Sequence, residues 1–96
     1  MKLYRTKDGT KLYPCCSWEK NQHKLYNALD NINNAIYDAE EEKASIEEMI
    51  RLYDRREEIE NALSWFDRYV VDGMVYAPYE QYLLIKDIVW AYNARG

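Results

Sequence analysis

The stretch Ala44-Ser45-Ile46-Glu47-Glu48-Met49-Ile50-Arg51-Leu52-Tyr53, residues 44–53, decides the fold. Ser45 followed three residues later by Glu48 is a capping box, a helix start written into the chain. Upstream, Leu25, Leu29, Ile32, Ile36 and Ala39 recur at gaps of four and three, the spacing of a coiled-coil seam. Two amphipathic helices therefore meet at residues 43–45 with almost no linker, which makes them antiparallel neighbours.

The first helix is read from Ser17 as N-cap, over residues 18–43, with Trp18 opening its apolar stripe. Asn27, Asn31, Asn33 and Asn34 lower its intrinsic propensity, so packing must hold it. The second is read over 46–71, with Ile46, Met49, Ile50, Tyr53, Ile59, Leu63, Phe66 and Val70 facing inward and Gly73 as the left-handed stop. A third helix, 78–94, opens on Pro78 and buries Leu84, Ile85, Ile88, Val89 and Tyr92. Residues 74–77 between them are short and apolar, suited to an extended segment beside the N-terminus.

Residues 1–13 read as a β-hairpin. Lys2–Lys7 and Thr10–Tyr13 alternate apolar and polar residues around Asp8-Gly9, a type I′ turn signal, and Pro14 is expected to end the second arm. The fold class is thus mainly α (α+β): an N-terminal β-hairpin, a long antiparallel helical hairpin, and a shorter third helix. Ninety-six residues carry this as one domain, 1–96. Three glycines and two prolines are too few for a sandwich or barrel rich in tight turns. No apolar run approaches the roughly 18 residues of a membrane span, and no leader pattern opens the chain, so a cytoplasmic protein is expected.

Net charge is −4 but unevenly placed. Residues 1–24 hold six basic side chains against two acidic, and residues 25–96 hold seven against fifteen. An acidic body disfavours direct nucleic-acid binding and favours a partner protein with a basic surface. The acid concentrates at the helix–helix turn in Asp38, Glu40, Glu41, Glu42, Glu47 and Glu48. Glu47 and Glu48 suit the positive end of a helix, whereas Glu40–Glu42 oppose the negative end of one. Ten tyrosines stand against one phenylalanine, and Tyr76, Tyr79 and Tyr82 cluster at the start of the third helix. Tyrosine pairs contact area with a polar tip and is enriched at interfaces. These nine residues form the candidate partner-binding set.

Catalytic and metal signatures do not emerge. The cysteines are adjacent, Cys15-Cys16, and Cα atoms about 3.8 Å apart are too close for an ordinary disulfide. They are read as small thiols packing a loop against the first helix. His23 is the sole histidine, and its spacing from them matches no zinc pattern. No phosphate-binding glycine loop is present. No enzyme activity, cofactor or metal is therefore expected.

In size, acidity and lack of a catalytic motif, the chain resembles small phage-encoded inhibitors of bacterial defence nucleases, anti-CRISPR proteins among them. The resemblance is one of class and assigns no residue. It implies an inhibitor that occludes a basic, nucleic-acid-binding groove. The alternatives are a self-associating helical structural or regulatory module and, third, a small nucleic-acid-binding regulator led by the basic arm. Two helices of about 26 residues would each span roughly 39 Å, more than a compact 96-residue body covers with its radius of gyration of about 12–13 Å. Side-by-side dimerisation of the hairpins is the expected remedy. A sedimentation mass of one chain at high micromolar concentration counts against it.

Overall fold

A computed structural model describes residues 4–94. The chain runs β1 (Tyr4–Arg5), β2 (Lys11–Ser17), α1 (Trp18–Glu41), α2 (Ile46–Phe66), β3 (Val70–Val71), β4 (Met74–Ala77) and α3 (Tyr79–Ala94). It is mainly α, with the N-terminal hairpin, the long helical hairpin and the shorter third helix in the order read from sequence. Lys2 and Leu3 of the first hairpin arm lie outside the described residues.

The strands form one antiparallel sheet of order β1-β2-β4-β3. β4 is the extended segment expected at 74–77, and it does lie beside the N-terminal hairpin: Tyr13 pairs with Ala77 and Ser17 with Met74. Pro14 does not end β2. It stands opposite Tyr76 where the register shifts before Ser17. A strand proline is tolerated at such an irregularity, because the ladder there is already interrupted. Cys15 and Cys16 consequently belong to a strand rather than a loop.

The second helix ends at Phe66, not at residue 71. Val70 pairs with Val75 and Val71 with Met74, so β-branched residues that continued the helical stripe form a strand instead. Asp72 (φ 52°) and Gly73 (φ 79°) join β3 to β4 with two left-handed residues, the geometry of a type I′ turn. Gly73 is therefore a hairpin residue and not a helix cap. The other Asp-Gly differs from its expected form too. At residues 6–10 the Gly9 amide donates to the Thr6 carbonyl at 3.0 Å and the Thr6 amide to the Thr10 carbonyl at 3.0 Å. Positive φ falls on Gly9 and not on Asp8, so this is a type I turn with a glycine bulge. The Asp8 carboxylate accepts from the Thr6 hydroxyl and from the Thr10 amide and hydroxyl. Those bonds hold its carboxyl below the usual range, the Thr6 hydroxyl contributing most.

The sheet is the platform from which the helices start or to which they return. The Trp18 amide donates to the Gly73 carbonyl at 2.8 Å, fixing the start of α1 on the β3–β4 turn. Asp67, just past α2, accepts from Trp18 Nε1 at 2.8 Å and from the Tyr26 hydroxyl at 3.2 Å. Ser17 caps α1 through the Lys20 amide and Ser45 caps α2 through the Glu48 amide, as their positions predict. The core gathers Cys15, Leu25, Ile59, Ala62, Phe66, Val75, Ala77, Ile85 and Ile88 where the helices meet the sheet. Leu12, paired with Tyr4, is also buried. Ala62, outside the expected stripe, is fully buried in this core.

Away from the sheet the hairpin thins. Ile46 is 79% exposed and Ile50 54%, against their expected burial. Tyr92 and Val70 are also exposed. The molecule measures 48 × 31 × 17 Å with a radius of gyration of 15.0 Å, above the roughly 12.5 Å of a compact chain this long. Arg56 lies over the Tyr53 ring at 5.1 Å and reaches Glu60 at 3.7 Å, so it extends outward along α2.

α1 closes in a Schellman arrangement. The Ala44 amide reaches the Ala39 carbonyl at 2.9 Å and the Lys43 amide the Glu40 carbonyl at 3.3 Å. Lys43 holds the left-handed position at φ 56°, where glycine is the favoured residue. Lys43→Gly is expected to stabilise the fold by about 0.5–1 kcal/mol. Urea unfolding checks this, and an unchanged or lower midpoint refutes it.

Candidate functional site

The six acidic candidates occupy one end of the molecule. Asp38, Glu40 and Glu41 end α1, Glu42 is its C-cap, and Glu47 and Glu48 form the first turn of α2. All six are exposed. Between residues 38 and 48 only Lys43 offsets them. No basic residue stands in the last turn of α1, so the acids there meet the negative end of the helix uncompensated. Glu40 has a structural partner: it accepts from the Tyr53 hydroxyl at 3.0 Å. That bond raises the Tyr53 phenol above its ordinary value.

The tyrosine candidates lie elsewhere. Tyr76 is in β4, and Tyr79 and Tyr82 are in the first turn of α3, next to the sheet. α1 and α2 carry the acidic turn away from that sheet by 24 and 21 residues, about 36 and 32 Å of helix. The structure therefore brings the acids together and the tyrosines together, but not the two groups. Tyr76 packs edge-on to Tyr4 at 4.7 Å. Tyr82 stacks with Tyr79 at 6.0 Å, and Tyr13 lies 5.6 Å from Tyr79 and 6.2 Å from Tyr82. Lys86 covers Tyr82 at 5.7 Å. Tyr76 and Tyr82 are half-buried, while Tyr79 is exposed. The first two thus help join strands and helix.

Apolar surface lies beside the acids, at residues expected to face inward. Ile46, Ile50 and Tyr53 follow one another at helical spacing on α2 and are exposed, as is Tyr37 on α1. The lengths imply thin cover somewhere, since a third helix of about 17 residues cannot cover two of about 26, but not which residues it leaves bare. A second exposed stripe, Tyr79, Leu83 and Trp90, runs along α3, with Trp90 69% exposed.

Among the described residues no three histidine, cysteine or acidic side chains are grouped to hold a metal ion. His23 packs edge-on against Tyr92 at 5.6 Å. No described helix is long and apolar enough to cross a membrane. Compared with family models, curated proteins and solved structures, the chain matches none.

Burial pushes the Cys15 thiol up to about 12 from 9.0 and raises Cys16 as well. Both are protonated at neutral pH, and the thiolate is the reactive form. Alkylation by iodoacetamide at pH 7.5 is expected to be slow in the folded protein and fast in denaturant. Equal rates would mean that the strand does not shield them. Because folding raises the Cys15 pKa, its contribution to stability is complete below about 9 and is lost as pH rises towards about 12.

Proposed function

We propose that this chain is a small protein-binding domain that acts as an inhibitor in the cytoplasm. It inserts the end of its helical hairpin into a basic, nucleic-acid-binding groove of a nuclease, in the manner of phage-type anti-CRISPR inhibitors. It performs no chemistry of its own; occupancy of the groove is the mechanism.

The observation that carries this reading is the composition of the projecting end. Six exposed carboxylates share it with exposed Ile46, Ile50 and Tyr37. Carboxylates steer the encounter with a basic surface and set register, while desolvated apolar side chains supply most of the lasting affinity. The absence of basic residues from the last turn of α1 leaves the local charge available to a partner. Tyr76, Tyr79 and Tyr82, next to the sheet, supply a second and separate contact.

The same apolar residues support a second reading, a self-associating helical module, because Ile46 and Ile50 could be covered by another hairpin. The readings differ in salt dependence. Charged contacts are screened over about 8 Å at physiological ionic strength, whereas apolar packing is insensitive to moderate salt.

Replacing Glu40, Glu41 and Glu42 together by Gln is expected to weaken nuclease inhibition at least tenfold and to flatten its salt dependence. Ile50→Asp is expected to weaken inhibition while leaving that salt dependence. Sedimentation equilibrium of the same variants tests the alternative: loss of a dimer on Ile50→Asp, with no effect of the glutamines, would favour the self-associating module.

A further inference from the structure

We propose that the pocket where the start of α1 meets the end of α2 and β3 binds the quaternary ammonium group of a small free molecule of the choline type. This goes beyond the inhibitor reading, because the pocket lies at the sheet end of α2, the full 21 residues of that helix away from the acidic turn.

Trp18, Tyr26, Asp67 and Val70 line a space of about 350 Å³, within the roughly 300–1,000 Å³ of small-molecule sites. One carboxylate fixes its geometry. Asp67 accepts from Trp18 Nε1 at 2.8 Å on one oxygen and from the Tyr26 hydroxyl at 3.2 Å on the other. Both donors of the aromatic pair are thereby used, and the Val70 side chain has none. A ligand here meets ring carbon, aliphatic carbon and negative charge, with no free side-chain donor. An anion has nothing to bind. A cation has a carboxylate and two aromatic rings, the combination that recognises quaternary ammonium groups.

The charge on Asp67 is not neutralised within the chain. No lysine or arginine lines the pocket, and among the described residues none pairs with Asp67. Arg68, next in sequence, is turned to the Trp65 ring at 4.4 Å and to the Ser64 hydroxyl at 3.2 Å. Asp67 is also the C-cap of α2, whose last turn carries no basic residue, so the negative end of the helix adds to its field. The Tyr26 phenol registers that field: the Asp67 charge foremost, and then the bond to it, raise its pKa. A carboxylate offers about four acceptor positions. Two are taken, so Asp67 keeps its structural bonds while it faces a ligand.

The kind of cation follows from what the pocket lacks. A primary ammonium carries three donors, and beyond the Tyr26 oxygen the lining side chains offer one carboxylate. A quaternary ammonium has no donor to satisfy. Its methyl groups instead need carbon surface, which Trp18, Tyr26 and Val70 supply, and Tyr26 and Val70 are both exposed and open to it.

The test follows the Trp18 indole N–H and the Val70 methyl groups by NMR while choline chloride is added at constant ionic strength. The comparison ligands are 3,3-dimethyl-1-butanol, which has the shape without the charge, ethanolamine, which has the charge without the methyl groups, and phosphatidylcholine vesicles. Choline is expected to shift both signals saturably and to leave the Trp65 and Trp90 indoles unmoved. Dimethylbutanol and ethanolamine are each expected to bind about fivefold more weakly. Tyr26→Leu is expected to weaken choline about fivefold, and Tyr26→Phe, which keeps the ring, to leave it nearly unchanged. Asp67→Asn should weaken choline and leave dimethylbutanol unaffected; if that variant does not fold, the two Tyr26 variants, at an exposed position, carry the test. The proposal is overturned if choline gives no saturable shift, or if dimethylbutanol or ethanolamine matches it. It is equally overturned if Trp65 and Trp90 shift as strongly, if Tyr26→Leu changes nothing, or if only vesicles bind. None of these outcomes bears on nuclease inhibition, which the glutamine variants at the hairpin end test separately.

Discussion

The pairing of β2 with β4 is the constraint on which the rest of this structure depends. It joins residues 13–17 to residues 74–77 across the whole helical hairpin. Closing so long a loop is entropically unfavourable, and the ladder, the Trp18–Gly73 bond and the two aromatic donors on Asp67 offset it together. Once made, the pairing brings the start of α1, the end of α2 and the start of α3 to one platform. The turn between α1 and α2 must then point away from it. The exposure of the acidic end follows from where the strands pair, not from any property of the acids.

The parts of the fold legible in the sequence were those set by local chemistry. Ser17 and Ser45 fix helix starts through their own hydroxyls, and the alternation of apolar residues fixes helix faces. The end of α2 was not legible, because Val70 lies four residues after Phe66 and continues the stripe in perfect phase. Only the partners Val75 and Met74, met through a turn downstream, decide that residues 70–71 are strand. The two Asp-Gly pairs make the same point. Gly9 sits in a glycine bulge because Thr6 and Thr10 engage Asp8, while Asp72-Gly73 forms the two-residue turn because Val71 and Met74 pair directly. A dipeptide names a set of turns; its flanks choose one.

The candidate site divides similarly. Charge can be counted along a chain, so the acids of the hairpin end were readable. Periodicity gives the face on which Ile46 and Ile50 lie but not whether anything covers that face. Coverage depends on the reach and crossing of α3, which are tertiary facts. The tyrosines were readable as a cluster, yet their distance from the acids is set by the length and direction of α1 and α2. Acids at the last turn of α1 cost about 0.3–1 kcal/mol each when exposed; Tyr53 engages Glu40, and Glu47 and Glu48 suit the start of α2, so the unfavourable charge falls on Asp38, Glu41 and Glu42.

The extended shape has a hydrodynamic consequence. A particle of 48 × 31 × 17 Å drags more solvent than a sphere of the same 11.6 kDa mass. On a sizing column calibrated with spherical standards it elutes ahead of its true mass. The shift runs in the same direction as association would. For this protein an early elution peak reflects the projecting hairpin, and molar mass must be taken from sedimentation or light scattering.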